Sequence, residues 1–186
     1  MSWMDKQTMR QTVRARFPDM EARNRESTLI CRHVLSWPDY RAAKIVAGYI
    51  PLPREADITA VLADALASGK AVLLPRVEGE RRMTLRRVHS LDELIPGRWG
   101  LLEPPPTAEI ISVEAAQVML VPLEAVDPSG MRLGKGGGYY DTLLTDEGPV
   151  TLGIALSWQW VERVPREPWD KPLDAAVDAK GIHLFK

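Results

Sequence analysis

The sequence predicts an α/β protein, a single three-layer α/β/α domain over residues 1–186 with a mostly parallel sheet. Short apolar runs of strand length alternate with amphipathic stretches of helix length, which is the order that builds parallel sheets. The apolar runs lack the polar alternation of a half-exposed strand, so both faces of the sheet should be covered. A chain of 186 residues has the length of one domain rather than two.

Two helices are predicted within the first 36 residues. Phe17-Pro18-Asp19 interrupts the amphipathic pattern and separates them. Cys31, the only cysteine, lies in the apolar pattern of the second helix, so we interpret it as a core residue rather than a nucleophile. A single cysteine excludes a disulfide framework and a CxxC site, and it favours a reducing, cytoplasmic location.

A βαβ unit is predicted over residues 44–74. Its two strands are the short apolar runs at 44–50 and 71–74. Asp57 is the predicted N-cap of the helix between them, and Ser68-Gly69 supplies the stop signal. The remaining predicted elements are a strand at 83–88, a loop at 94–106, a strand at 117–121, a short helix from about Tyr139, a strand at 151–156, a helix near 157–164 and one or two short strands within 173–186.

The charges of the chain nearly cancel. There are 24 Lys and Arg residues against 25 Asp and Glu residues, a formal net charge of -1. This balance argues against generic binding to nucleic acid or to anionic membranes, so any anion site must be local. No window approaches about 18 uncharged apolar residues, so we expect no membrane span. The absence of an obvious apolar stripe favours a monomer.

Five of the 13 glycines lie within residues 130–138, and this cluster is the first candidate functional site. Asp127-Pro128-Ser129-Gly130 has the chemistry of a turn. The triple glycine at 136–138 costs folding entropy that a plain turn does not require, which indicates that a ligand approaches the backbone closely. Bare N–H groups before a helix, together with Arg132 and Lys135, suit a phosphate. A flexible surface loop is the alternative interpretation.

The spacing of this cluster excludes two common phosphate motifs. It does not match a Walker A loop, and Tyr139 stands where a dinucleotide fingerprint starting at Gly134 requires glycine. Asp141 follows, in the first turn of the predicted helix. Its carboxylate either stabilises the helix N-terminus or binds Mg²⁺, which takes one or two carboxylates plus phosphate oxygens. The residues alone favour neither role.

Residues 132–141, Arg-Leu-Gly-Lys-Gly-Gly-Gly-Tyr-Tyr-Asp, closely resemble the R-L-G-[RK]-G-x-G-Y-Y-D signature of the 5-formyltetrahydrofolate cyclo-ligase family. The stretch 167–174 is similar to the family's E-P-H-D-x-P-[VL]-D segment. Weaker family features are kept in order along nearly the whole chain: Lys6, Arg10, Tyr49, Glu55-Ala56-Asp57, residues 74–77 and Glu103-Pro104.

The resemblance implies an ATP- and Mg²⁺-dependent cyclisation. In this reaction ATP phosphorylates the formyl oxygen of 5-formyltetrahydrofolate, a reduced formyl-folate. N10 then attacks the activated carbon, and 5,10-methenyltetrahydrofolate forms with release of ADP and phosphate. Positioning and charge neutralisation are the main requirements of phosphoryl transfer, so a glycine nest, basic side chains and Mg²⁺ are sufficient.

The resemblance also implies roles for individual residues. The implied catalytic residues are Arg132, Lys135 and Tyr139, and the implied metal ligands are Asp141 and Asp174. Nucleotide binding is implied for Lys6, Arg10, Arg132, Leu133, Gly134, Lys135, Gly136, Gly137, Gly138, Tyr139 and Tyr140. Substrate binding is implied for Ile50, Glu55, Trp99, Lys135, Gly136, Gly137, Gly138 and Tyr139. Without the family, Lys6 and Arg10 would be two solvated charges on one helix face, and Trp99 is equally a lid over the core.

The chain departs from the family pattern in three places. Leu123-Glu124-Ala125-Val126 replaces a G-L-A-F run, which removes a glycine and adds a charge beside the predicted site. Trp169 stands where the family usually has His, and Asp178 stands where it commonly has Thr or Ser. These departures concern the folate pocket more than the ATP site. They leave open two alternative functions, a non-catalytic folate- or nucleotide-binding regulator and a paralogue that acts on a different substrate.

Overall fold

The structure is a computed structural model that describes residues 4–185, apart from the side chain of Trp99. Its strands are β1 (Ile45–Ala47), β2 (Ala71–Gly79), β3 (Arg82–Val88), β4 (Ile95–Pro96), β5 (Leu102–Glu103), β6 (Val118–Val121), β7 (Ala125–Val126), β8 (Arg132–Leu133), β9 (Val150–Ile154), β10 (Ala175–Asp178) and β11 (Gly181–Leu184). Its α-helices are α1 (Lys6–Arg14), α2 (Met20–Ser36), α3 (Pro38–Ala42) and α4 (Thr59–Ala67).

A seven-stranded sheet forms the centre of the molecule, with the strand order β11-β10-β9-β6-β1-β2-β3. The five strands from β10 to β2 pair in parallel, and only the two edge strands, β3 and β11, are antiparallel. Two short antiparallel ribbons, β4–β5 and β7–β8, lie outside this sheet. The predicted α/β class with a mostly parallel sheet is therefore confirmed.

The predicted βαβ unit is formed by β1, α4 and β2. Val46 and Val72 are paired in the parallel register, and both are fully buried. Asp57 lies one position too early to be the N-cap, which is Ile58. Its Oδ1 still accepts a hydrogen bond from the Thr59 N–H at 2.9 Å. Gly69, with φ +82°, ends the helix as predicted.

The two faces of the sheet are covered differently. One face packs against α2, α3 and α4, and Cys31 is buried there as predicted. Burial raises the pKa of its thiol to about 11, which suits a packing role rather than a nucleophile. The other face is covered by loops and by the 3-10 helices Val113–Ala115 and Tyr140–Thr142. The remaining described 3-10 helices are Leu91–Glu93, Arg98–Gly100 and Ser157–Gln159.

At two positions where the sequence predicts a helix, the structure has only a short 3-10 turn. The helix predicted from Tyr139 is a single 3-10 turn, Tyr140–Thr142, and the helix predicted near 157–164 is only Ser157–Gln159. In the second case the backbone donors are used by tertiary partners: Val161 N donates to Val126 O at 2.9 Å. Tertiary hydrogen bonds therefore override the local helical pattern.

α1 connects the fold to the glycine cluster. The side chain of Asp5 caps its first turn by accepting from the Thr8 N–H at 2.7 Å. Met9 and Val13 are buried against the β7–β8 ribbon, which leads directly into the glycines. Lys6 and Arg10 share a helix, as predicted, and both face the cavity described below. Within residues 4–185, no helix combines the length and apolar character needed to cross a membrane.

The turn that precedes the glycine cluster is held by one buried carboxylate, Asp127, which is 2% exposed. Its Oδ1 accepts from Ser129 N at 2.9 Å, Ser129 Oγ at 2.6 Å and Met131 N at 3.2 Å. Its Oδ2 accepts from Val164 N at 2.8 Å. The predicted turn chemistry is thus confirmed, and the same side chain ties the turn to a distant segment.

We expect Asp127→Ala to lower the free energy of unfolding by about 3 to 5 kcal/mol, because it leaves several backbone donors without an acceptor. Urea denaturation followed by circular dichroism measures this loss. Asp92→Ala, at an exposed position, is the control and should change stability by less than about 0.5 kcal/mol. Equal midpoints for the two variants would contradict the role given to Asp127.

Candidate active site

A cavity of about 770 Å³ opens beyond the carboxyl ends of the parallel strands. Tyr49 and Ile50 follow β1 and Pro122 follows β6, and all three line it. This is the usual position of ligand sites in α/β sheets. The cavity brings together most of the predicted site residues: Lys6, Arg10, Ile50, Glu55, Arg132, Leu133, Gly134, Lys135, Gly136, Gly137, Gly138, Tyr139, Tyr140 and Asp141.

Two predicted site residues are not placed in the cavity. The side chain of Trp99 lies outside the described part of the structure. Asp174 is described but is not among the cavity-lining residues. Its Oδ2 accepts from Thr151 N at 2.9 Å and from Thr151 Oγ1 at 3.2 Å, at the amino-terminal end of β9. Asp174 therefore holds two strands together at the edge opposite the cavity.

The glycine loop, residues 134–138, follows β8 and curves along the cavity wall. Gly136 has φ +103° and Gly138 has φ +71°, conformations that residues with a Cβ rarely adopt. Because only a 3-10 turn follows, the loop's own N–H groups and neighbouring cations carry the positive potential, without the dipole of a long helix. Arg10 fixes the loop, since its Nε donates to Gly134 O at 2.7 Å.

Lys135 lies between two buried carboxylates. Its Nζ is 3.0 Å from Glu55 Oε1 and 3.5 Å from Glu124 Oε1. Glu124 Oε1 also accepts from Arg14 Nη2 at 3.0 Å. Glu124 is the charge that distinguishes this chain from the family pattern. The sequence marked it as a departure but did not reveal its function, which is to hold Lys135 and to link it to α1.

Glu55 combines burial with an unused hydrogen-bond acceptor. The residue is 6% exposed, and the described residues provide no hydrogen-bond partner for its Oε2. Burial raises the pKa of its carboxyl group and Glu124 adds to this, while Lys135 opposes it. Arg23 Nε donates to Glu55 O at 2.6 Å and fixes the backbone at this position. A buried acceptor without a partner that lines a cavity is suited to an N–H group of a ligand.

Arg132 is a partly buried cation of the site that lies near Tyr140, Asp141 and Asp170. Its Nη1 donates to Pro122 O at 3.3 Å, and its guanidinium carbon lies 5.4 Å from the centre of the Tyr140 ring. Burial lowers the pKa of Arg132, and the nearby Tyr140, Asp141 and Asp170 oppose this shift. Burial also raises the pKa of the Tyr140 hydroxyl, so that side chain stays neutral.

Asp141 and Asp170 are the carboxylates that suit a divalent cation. Both line the cavity and both lie close enough to Arg132 to affect its pKa. Asp170 Oδ2 accepts from Lys6 Nζ at 2.8 Å. Two carboxylates beside an anion-binding loop fit Mg²⁺, which completes its shell with water and phosphate oxygens. The described residues contain no group of three or more His, Cys, Asp or Glu side chains that could hold a metal by themselves.

Several cavity residues were not assigned from the sequence. Trp169 is 71% exposed at the rim, and Asp170 follows it. Asp170 belongs to the 167–174 stretch that resembles the family, but the metal-ligand role implied by the resemblance in that stretch fell on Asp174. Arg81 and Leu102 come from segments that carry no motif. Only the three-dimensional arrangement identifies them.

The fold and the cavity place the protein in the class of α/β proteins whose ligand site lies beyond the carboxyl ends of a parallel sheet. The family model described as the 5-formyltetrahydrofolate cyclo-ligase family matches residues 3–179. The chain belongs to this family.

Individual relatives agree with this assignment. The chain is 29% identical over 180 residues to the 5-formyltetrahydrofolate cyclo-ligase of Escherichia coli (strain K12), covering 94% of this chain and 98% of that protein. It is 34% identical over 148 residues to the enzyme of the same name from Mycolicibacterium smegmatis, covering 75% of each. The NMR structure of Aquifex aeolicus 5,10-methenyltetrahydrofolate synthetase matches with a TM-score of 0.87 and 36% identity, covering 98% of this chain and 94% of that one.

Proposed function

We propose that the protein converts 5-formyltetrahydrofolate to 5,10-methenyltetrahydrofolate in an ATP- and Mg²⁺-dependent cyclisation that releases ADP and phosphate. The observation that carries this proposal is the shared cavity. The glycine loop with Lys135 and Arg132 lines it together with Glu55, whose buried Oε2 has no hydrogen-bond partner among the described residues. One site therefore offers both an anion-binding loop and an acceptor for a heterocyclic N–H. We place the reaction in the cytoplasm, in keeping with a single buried cysteine.

The proposed chemistry has two steps. First, the formyl oxygen attacks the γ-phosphorus of ATP, the bond from phosphorus to the bridging oxygen breaks, and ADP leaves. The phosphorylated oxygen is then a good leaving group. Second, N10 attacks the formyl carbon, N10 loses its proton, and the C–O bond breaks with its electron pair leaving on phosphate. The methenyl cation that results bridges N5 and N10.

The chain's own residues position the reactants and neutralise charge. Glu55 accepts from the N–H edge of the pterin ring, which orients the formyl group towards the glycine loop. The loop N–H groups, Lys135 and Arg132 bind the phosphoryl oxygens, where preorganised cations are worth most in the transition state. Lys6 and Arg10 lie on one face of α1 and bind the remaining phosphates. Tyr139 lines the wall between loop and substrate.

Asp141 and Asp170 would hold Mg²⁺, which when bound supplies positive charge to the β- and γ-phosphates. This replaces the pairing of Asp141 with Asp174 that the sequence suggested. The physical reason is that the Asp174 carboxylate is engaged by Thr151 at the other edge of the sheet.

A direct assay tests the proposed function. Purified protein is mixed with ATP, MgCl₂ and 5-formyltetrahydrofolate, and the absorbance of the methenyl product is followed, with ADP and phosphate measured in the same samples. We expect one phosphate per methenyl group and no product when ATP or Mg²⁺ is omitted. Protection of the protein from thermal unfolding by ATP, without methenyl formation, would contradict the proposal and favour a binding function.

A further inference from the structure

Arg81 occupies the tip of the β2–β3 hairpin in an unusual conformation. Its φ of 55° lies in the left-handed region, and it is the only non-glycine residue with positive φ among residues 4–185. Such a conformation costs free energy for a residue with a Cβ and is found preferentially at functional sites. A glycine at this tip would avoid that cost, so the presence of arginine instead suggests a role for its side chain.

The Arg81 side chain lies over the glycine loop and lines the cavity. A Cβ placed on Gly138 would be 3.7 Å from both Cγ and Cδ of Arg81, which is van der Waals contact. The hairpin tip therefore meets the glycine loop at Gly138, and the guanidinium group of Arg10 lies near the same loop at Gly136. Two arginine side chains therefore lie beside the loop.

Arg81 differs from the other cations of the cavity because no residue that the structure describes is a partner of its side-chain charge. Within the described chain, no hydrogen bond, ion pair or ring contact involves its guanidinium group. The other cavity-lining cations are all engaged, in the pairs Lys6 with Asp170, Arg10 with Gly134 O, Arg132 with Pro122 O, Lys135 with Glu55, and Lys171 with Asp146. Arg81 is thus available to an anionic group of a ligand.

The shape of the cavity indicates which anionic group reaches Arg81. Pro75, Val77 and Met83 line the wall that runs along the hairpin, and Val77 pairs directly with Met83. This apolar strip ends at the exposed tip, whereas Glu55 lies at a buried part of the wall. An elongated ligand with its N–H groups at Glu55 and an apolar middle on the strip would place its far end at Arg81.

From this arrangement, and resting on the proposed function, we propose that Arg81 is a specificity residue that binds a carboxylate of the substrate's glutamate tail. The tail is the anionic end of the folate molecule, separated from the pterin by an aromatic ring that matches the apolar strip. A guanidinium group binds a carboxylate through two parallel hydrogen bonds, which ammonium groups do not reproduce.

The test compares two substrates, 5-formyltetrahydrofolate and 5-formyltetrahydropteroate, which lacks the glutamate. Arg81→Gly removes the guanidinium group and accepts the left-handed backbone, so the hairpin should stay folded. We expect its KM for the full substrate to rise about tenfold, as for loss of a charge-assisted hydrogen bond. Its KM for the truncated substrate and for ATP should equal the wild-type values. Arg81→Lys should recover only part of the loss.

Arg82→Gly is the matched control, since Arg82 is exposed on the same hairpin but does not line the cavity. It should leave both substrates unaffected. Three results for Arg81→Gly would overturn the assignment and leave the proposed function intact. These are an equal rise in KM for the two folate substrates, a rise in KM for ATP alone, and no change in any KM. Wild-type protein that converts neither substrate would instead overturn the proposed function, and the assignment of Arg81 with it.

Discussion

Lys135→Ala should lower kcat/KM for methenyl formation by about 10²- to 10³-fold, the effect of removing one preorganised donor to a developing oxyanion. Lys135 is the cation inside the glycine loop. Glu55 and Glu124 hold its ammonium group at 3.0 and 3.5 Å, so it is oriented before a ligand binds. Preorganisation of this kind stabilises the transition state without a reorganisation cost during the reaction. Steady-state kinetics with saturating Mg²⁺ measure the loss.

Two further variants separate catalysis from folding. Lys135→Ala leaves two buried carboxylates facing one another without the cation, which destabilises the fold. The double variant Lys135→Ala/Glu124→Gln removes one of those charges, so we expect it to recover thermal stability but not activity. Lys44→Ala, an exposed lysine at the amino-terminal end of β1, should behave as wild type. A double variant that recovers turnover would show that Lys135 acts only through stability.

The fold could be predicted largely from the sequence because the pattern and the final packing agree. The βαβ unit has strong local signals: fully buried residues in both strands, such as Val46 and Val72, and Gly69 at a helix end with positive φ. The failures lie where tertiary partners take over the backbone. Residues 157–164 have an apolar pattern, but the N–H groups of Val161 and Val164 bond to Val126 and Asp127. A local rule cannot detect acceptors that are more than thirty residues away.

Only those site residues that belong to a recognisable motif could be predicted from the sequence. The glycine loop and Lys6, Arg10 and Glu55 do meet in one cavity. The stretch 167–174 contains two aspartates four residues apart that lie in different surroundings. Asp170 lines the cavity, whereas the carboxylate of Asp174 accepts a hydrogen bond from Thr151 N. Arg81 belongs to no motif, and Glu124 is visible in the sequence only as a departure from one. Their importance comes from contacts with the loop, and contacts between distant segments cannot be read from spacing.

Asp141→Asn should abolish most turnover at physiological Mg²⁺ and should raise the Mg²⁺ concentration required for half-maximal rate by about tenfold or more. The substitution keeps the shape of an exposed side chain, so the fold should be unaffected. It removes one of the two charges that attract the ion. Titration of activity against MgCl₂ at fixed ATP measures the shift, and Glu147→Gln, an exposed carboxylate in the same segment that does not line the cavity, should not produce it.

A comparison of Asp170→Asn with Asp174→Ala identifies the second carboxylate that binds Mg²⁺. If Asp170 binds the ion with Asp141, its variant should shift the Mg²⁺ dependence in the same direction and by a similar factor. Asp174→Ala should leave that dependence unchanged and lower the free energy of unfolding by about 1 kcal/mol, because Thr151 N loses its acceptor. The opposite pattern, with the Mg²⁺ requirement raised only in the Asp174 variant, would restore the pairing suggested by the sequence. Because Mg²⁺ dependence and stability are separate measurements, neither outcome can be mistaken for the other.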